Sequence, residues 1–337
     1  MPRPQGRVLG ADIGGTKVNL ALFDSQDGRL SCVRMESYHS LELDGLPTAL
    51  RMFLGHHAPR LDAAAFGVAG PVHNDRAQIT NLPWSVDGNN LRSVLGIRRV
   101  KLINDLEATA YGVLTLEPAD MLMLNAGTTV PGNAAVIAAG TGLGEGLLFW
   151  DGTQYHPAPS EGGHTDFAPR NDLEAELLVF LRRRYQHVSY ERLLSGPGLV
   201  NIDEFLRDTG RGDEPPAFTR RLHEEDPAAA ISHAALQGTP SLCVQALDLF
   251  TAIYGAEAGN LALKVMATAG VYVGGGIAPK ICPKLTDGTF ISAFRDKGRM
   301  SFLMDLMPVR VILKETTALN GAGYCAARLA QKEEYDD

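Results

Sequence analysis

The stretch Arg7-Val8-Leu9-Gly10-Ala11-Asp12-Ile13-Gly14-Gly15-Thr16-Lys17-Val18-Asn19-Leu20-Ala21-Leu22-Phe23-Asp24 reads as strand, glycine turn, strand. Val8, Leu9, Val18, Leu20, Leu22 and Phe23 supply the apolar positions, and the glycines mark a tight reversal. A second unit of this kind lies well over a hundred residues later. There Ala134–Ala139 is an apolar strand, Gly140-Thr141-Gly142-Leu143-Gly144 the turn, and Glu145–Trp150 the return. The repetition predicts two related domains, each presenting a glycine turn to a shared cleft.

Further strands are expected at Ala63–Val68, Val100–Ile103, Gly270–Val273 and Val309–Leu313. Helical patterns occupy Thr48–His57, Asn104–Leu114, Leu173–Tyr185, Tyr190–Leu194, Leu199–Leu206, Pro227–Leu236, Ser241–Met266 and Thr317–Leu329. Such alternation predicts an α/β layer fold, and 337 residues suit two domains better than one core. Thr209–Pro216 reads as a surface loop, and the charged tail Gln331–Asp337 is expected to fray.

Apolar residues make up 45% and charged residues 21%, a globular balance that excludes wholesale disorder. Acidic residues outnumber basic ones, 39 to 31, and there is no basic stripe for nucleic acid. Arg182-Arg183-Arg184 reads as a solvated helix face. No apolar run is long enough to span a membrane, and polar Met1–Gly6 leads straight into a strand, so no signal peptide is expected. Cys32, Cys243, Cys282 and Cys325 are scattered without zinc or disulfide spacing, as suits reduced thiols in a cytoplasmic protein.

In Asp12-Ile13-Gly14-Gly15-Thr16-Lys17, glycines let backbone N–H groups approach a phosphate chain, Thr16 adds a hydroxyl, and Asp12 can orient magnesium through water. An ordinary hairpin turn explains the same residues, and Walker A spacing is absent. Gly140-Thr141-Gly142 offers a second set of donors, and Gly274-Gly275-Gly276 permits a flat nucleoside against backbone; each also fits a plain loop. Asn104-Asp105, where a strand becomes a helix, suits either a general base or a helix cap. The most specific segment runs from Ser160 to Pro169: across two glycines, Glu161 can accept from and His164 donate to ligand hydroxyls. Metal binding is the rival there, without a third ligand at recognisable spacing. Glu191 is a second acceptor or a simple first-turn acid.

Taken in order, these strings resemble the bacterial glucokinase family of the actin/hexokinase-like superfamily over nearly the whole chain. The matching strings are Ala11–Thr16, Thr80-Asn81 with Trp84, Ile103-Asn104-Asp105, Ala139–Gly144, Glu161–Pro169, His187-Val188-Ser189, Glu191–Asn201, Gly274–Ile277 and Asp296–Arg299. The resemblance implies a two-domain α/β, actin/hexokinase-like (ribonuclease H-like) fold with an interdomain cleft. Residues 1–115 plus 315–337 would form the smaller domain and 116–314 the larger. It implies a cytoplasmic, glycolytic homodimer that phosphorylates D-glucose with ATP and Mg2+, without nucleic-acid or membrane partners. By carry-over, Asp105 is the base on the sugar's 6-hydroxyl, and Asn104, Glu161, His164 and Glu191 bind the other hydroxyls. Thr16, Gly140 and Thr141 face the phosphates and Gly274, Gly275 and Gly276 the nucleoside, with Asp12, Gly14, Gly15 and Gly142 completing the nucleotide site and Asp12 holding magnesium through water.

Lys17 departs from the family's enterobacterial pattern, which has Asn there. Lysine is common at that point in the related repressor/open-reading-frame/kinase (ROK) family, but the Cys-rich zinc motif of that branch is missing: no cysteine follows His164 until Cys243. Rival readings are a kinase for mannose or glucosamine, a sugar-responsive regulator, and an ATPase of the actin/chaperone type. The regulator would need an N-terminal DNA-binding module, for which a first strand starting at Arg7 leaves no room. The ATPase would not need the Glu161–His164 loop.

Overall fold

The computed structural model describes residues 6–26, 29–55, 59–79, 82–213 and 215–331. The readings placed on Met1–Gln5, on the helix end at His57, on Thr80-Asn81, on Glu214 and on the tail beyond Gln331 lie outside the described residues. The chain divides into two units, Met1–Pro118 with Pro157–Pro159 and Lys314–Asp337, and Ala119–His156 with Ser160–Leu313.

The first unit carries a five-stranded sheet in the order Arg29–His39, Lys17–Gln26, Gly6–Ile13, Ala63–Val68, Val100–Asn104. Gly6–Ile13 pairs antiparallel with its hairpin partner and parallel with Ala63–Val68, which is parallel to Val100–Asn104. Ala63–Val68 is buried throughout, as a central parallel strand covered on both faces must be. Its small residues reflect close helix packing: a Cβ added at Gly67 would lie 2.8 Å from Ala108 Cβ on the helix Asp105–Val113. The terminal helix Thr317–Gln331 sits equally close, with an added Cβ at Gly10 only 2.6 Å from Gly323 N. These two helices meet backbone to backbone. A side chain at Gly112 would overlap the Thr317 carbonyl, and one at Gly321 the Ala108 carbonyl.

A six-stranded sheet, ordered Tyr155–Ser160, Leu143–Trp150, Ala134–Ala139, Gly270–Gly274, Val309–Ile312, Met121–Asn125, belongs to the second unit apart from Pro157–Pro159 of its edge strand. In both sheets the first strand of a glycine hairpin lies between its antiparallel return and two successive parallel strands. The repetition read from the two hairpins is thus a repetition of sheet topology. The core of this unit forms around the helix Ser241–Val265, buried over most of its length, where Tyr254 packs edge-on against Phe250 and Phe290 at 5.9 and 5.5 Å between ring centres.

Several boundaries differ from the sequence expectation. The helix expected at Thr48–His57 is Leu46–Leu54, begun by Pro47 and closed at Gly55 with φ +65°. The helix expected to reach Tyr185 ends at Leu181, so Arg182–Arg184 form an exposed turn just past it. Tyr190–Leu194 reduces to a 3-10 turn, Tyr190–Arg192, because Ser195 caps a new helix, Gly196–Asp208, by accepting from Gly198 N at 3.0 Å. Strand Arg29–His39 had no apolar signature: it is a largely exposed edge strand, whose solvent face selects polar residues. All four cysteines are free thiols, and no helix among the described residues is long and apolar enough to cross a membrane.

The helix pair gives a direct test of the packing. Gly321→Ala places a methyl against the Ala108 carbonyl, and is expected to lower unfolding free energy by about 1–3 kcal/mol. The check is chemical denaturation; a midpoint equal to the wild type would refute the close approach.

Candidate active site

In the first unit, strand register gathers the predicted residues at one edge. Asp12 pairs with Gly67, and Gly67 with Ile103; Ile13 pairs with Val68, and Val68 with Asn104. Asp12 and Asn104-Asp105 therefore end two parallel strands one strand apart, about 10 Å across at ordinary strand spacing. Carboxyl ends of parallel strands are the usual ligand edge of an α/β sheet.

Asp12 is held by an ordered relay: Ser37 Oγ donates to Asn19 Oδ1 at 2.8 Å, and Asn19 Nδ2 to Asp12 Oδ2 at 3.2 Å. Burial pushes the Asp12 carboxyl up, and the Asn19 bond pulls it partly back. The Gly14–Thr16 turn closes with Gly14 N donating to Lys17 O at 2.9 Å. Ser40 clamps it twice, through Oγ to Gly14 O at 3.0 Å and N to Thr16 O at 2.9 Å. Sequence reasoning missed Ser40 because it closes the turn from a distant edge.

Asn104 is a helix cap: its Oδ1 accepts from Leu106 N at 2.7 Å and Glu107 N at 3.3 Å. That leaves its amide N–H groups to act as donors, one lying 3.4 Å from Gly70 O. Asp105 is the first helical residue, half-buried, with Oδ1 accepting from Leu106 N at 2.9 Å.

In the second unit three predicted side chains come together. His164 has Nε2 3.9 Å from Glu161 Oε2 and Nδ1 3.9 Å from Glu191 Oε1. Glu161 and His164 are well exposed, and Glu191 is half-buried. A tight turn builds the loop: His164 N donates to Glu161 O, and Thr165 donates to Gly162 O through both N and Oγ1. His187 Nε2–H donates to the His164 carbonyl at 2.8 Å and holds the far side. Glu191 also joins this cluster to the second glycine turn, since its Oε2 accepts from Leu143 N at 3.0 Å. That approach requires glycine at 142, where a Cβ would lie 2.5 Å from the same oxygen.

The Gly140–Gly142 and Gly274–Gly276 turns are neighbours, because Ala138 pairs with Gly274 and Ile277 N donates to Ala139 O at 3.2 Å. Gly275 has φ +83° and lies against the Ala139 carbonyl, so the fold itself demands glycine. Gly140 and Gly276 differ: each has ordinary φ and no atom within 3.8 Å of an added Cβ, the nearest being Gly276 N at 3.9 Å from Gly140. Nothing in the fold forbids a side chain there, so the open space suits a ligand against backbone. Buried Tyr254 ties both strand ends, its hydroxyl accepting from Ala139 N at 3.2 Å and lying 3.3 Å from the Ile137 and Gly274 carbonyls. No local motif announced Tyr254, which reaches the turns from the middle of a long helix. Among the described residues no group of three or more His, Cys, Asp or Glu side chains can hold a metal ion.

The sequence model of the glucokinase family matches residues 9–329. Glucokinase from Nostoc sp. (strain PCC 7120) is 44% identical over 339 residues, spanning 96% of this chain and 99% of that protein. The crystal structure of glucokinase from an Antarctic psychrotroph superposes with a TM-score of 0.84 at 30% identity, covering 96% and 99% of the two chains. A ROK family glucokinase from Streptomyces griseus, solved with glucose and AMPPNP, has a TM-score of 0.63 at 22% identity over 96% and 100%, and shares the fold. The fold is thus the actin/hexokinase-like α/β fold.

Tyr254→Phe leaves the buried Ala139 N–H unpaired. It is expected to lower stability by about 1–3 kcal/mol and to speed amide hydrogen exchange at Ala139–Gly140 and Gly275–Gly276. Unchanged exchange at both turns would remove Tyr254 as their tie.

Proposed function

Because the chain belongs to the glucokinase family, we propose that it transfers the γ-phosphoryl group of ATP to the 6-hydroxyl of D-glucose, giving glucose 6-phosphate and ADP. The observation that carries this reading is the cluster of Glu161, His164 and Glu191, two acceptors around one imidazole, joined through Leu143 to a glycine turn. Ionised carboxylates only accept and an imidazole N–H donates, so the three suit a polyhydroxylated ligand. Asn104, with its carbonyl oxygen engaged by the helix, serves as a donor to a further hydroxyl.

Asp105 is the general base: its carboxylate takes the proton of the 6-hydroxyl as that oxygen attacks the γ-phosphorus, and the bond to the ADP oxygen breaks. Gly14, Gly15, Thr16, Gly140, Thr141 and Gly142 supply phosphate donors, and Gly274, Gly275 and Gly276 a flat wall for the nucleoside. Magnesium fits as an ion that arrives with ATP, since Mg2+ uses one or two carboxylates, waters and phosphates. Asp12 would hold it through water, and the ion would neutralise phosphate charge. The same reading takes the protein as a cytoplasmic homodimer without nucleic-acid or membrane partners, in keeping with its net charge of -8.

The test is a coupled assay of ADP release with MgATP against glucose, mannose, fructose, glucosamine and N-acetylated sugars. Preference for glucose is expected; preference for mannose or glucosamine would keep the chemistry and overturn the substrate. Asp105→Asn should lower kcat by about 10²–10⁴-fold with glucose binding retained, and near-normal turnover would remove Asp105 from the base role. Glu161→Ala and His164→Ala should each raise KM for glucose by about 10–100-fold, the worth of a hydrogen bond to a charged group. An unchanged KM in both would refute the sugar site.

A further inference from the structure

The loop Glu161–His164 rests on a buried acid with no part in phosphoryl transfer. Glu145, opposite Ile137 on the strand Leu143–Trp150, is 2% exposed. Its Oε2 lies directly under Gly162, where any side chain would overlap it. Its carboxyl faces Glu257, which is fully buried on the helix Ser241–Val265. Two ionised carboxylates are both acceptors and repel, so a bond between them requires one shared proton. Glu145 Oε1 is buried without a hydrogen-bond partner.

Glu257 is fixed from its other side, accepting from Asn260 Nδ2 at 2.8 Å and from Lys264 Nζ at 3.3 Å, while Asn260 Nδ2 also donates to the Tyr190 hydroxyl at 3.2 Å. Tyr190 in turn donates its backbone N–H to the Thr165 carbonyl at 3.1 Å, and it directly precedes Glu191. The acid pair therefore stands behind both segments that carry Glu161, His164 and Glu191.

We propose that Glu145 is a positioning residue for sugar binding: sharing one proton with Glu257, it holds Gly162 and the Glu161–His164 loop in the binding shape, and loss of that proton raises KM for the sugar. This rests on the sugar site proposed above.

The ionisable groups facing the pair are Lys264 and Tyr254 from the long helix and Tyr190 from the turn Tyr190–Arg192; Lys297 reaches its rim through Asn260 Oδ1 at 2.8 Å. Burial and then the Glu257 charge push the Glu145 carboxyl up to about 7, while Lys264 pulls the other way. An acid raised this far keeps its proton through the mildly acidic range and loses it as pH rises past that value. The loop is therefore held below neutrality and loosens above it.

The experiment measures KM, kcat and direct glucose binding from about pH 6 to about pH 8.5, a span that brackets such a titration. In the wild type, KM should rise about tenfold, the change that a one-unit difference in pKa between free and sugar-bound protein produces, with kcat moving less. Glu145→Gln donates to Glu257 without titrating, so it should flatten the rise; Glu257→Gln restores the same bond from the other side and should do likewise. Glu145→Leu removes the bond and should raise KM at every pH. Profiles of both glutamine variants that follow the wild type would overturn the proposal. If Glu161→Ala and His164→Ala raise KM while the glutamine variants track the wild type, only the Glu145 role falls. If those alanine variants leave KM unchanged, the sugar site itself falls.

Discussion

The seating of one short helix sets where Asn104 and Asp105 stand in the first unit. Asp105–Val113 is held at van der Waals contact with the sheet and with Thr317–Gln331 by paired glycines, with Gly67 meeting Ala108, Gly112 meeting Thr317 and Gly321 meeting Ala108. Interiors packed this tightly transmit displacement instead of absorbing it. A helix lifted by one methyl group would carry Asn104 and Asp105 away from the strand row they share with Asp12. The last helix of the chain is thus part of the machinery that locates residues near position 105, although it contributes no predicted ligand.

The second unit reaches the same end differently. Its two glycine turns are aligned by a buried hydroxyl, Tyr254, and by the Glu191 carboxylate, which also faces His164. One side chain thereby links the geometry of the Gly140–Gly142 turn to that of the Glu161–His164 loop. The glycines also separate by cause. Gly142 and Gly275 are required by protein atoms, whereas Gly140 and Gly276 leave space that the protein does not fill. A glycine the fold does not need is better evidence for a ligand than a glycine-rich string as such.

Much of this was legible in the sequence because the signals are local. Apolar runs bounded by glycine gave both hairpins and the central parallel strands, and Asn104-Asp105 and Glu161–His164 stood out by their spacing. The edge strand Arg29–His39 was silent because exposure removes apolar patterning. The strands Val72-His73, Arg76–Gln78 and Ser85–Asp87 are too short to carry a period. Ser40, Tyr254, Glu145 and Glu257 were silent for another reason: each acts on the site through a contact made only in three dimensions. The cap at Asn104 shows that two readings of a motif need not compete. Its oxygen caps the helix, and its amide nitrogen donates to the Gly70 carbonyl with one N–H to spare.

A buried acid and a strand carbonyl explain why the Glu161–His164 loop contains two successive glycines. A side chain at Gly162 would overlap Glu145, and one at Gly163 would overlap the Leu143 carbonyl. The loop backbone therefore lies flat on the strand Leu143–Trp150, leaving Glu161 and His164 to project outward. Placing a carboxyl beneath that backbone is unfavourable unless it stays neutral or paired. Glu257, Lys264, Asn260 and Tyr190 surround it with polar partners, and burial raises its pKa toward the neutral form. An apolar residue at 145 would fill the space, yet it would cut the link between the loop and the polar network on the long helix. The acid is costly for stability alone, and its position makes sense as a way of fixing where Glu161 and His164 stand.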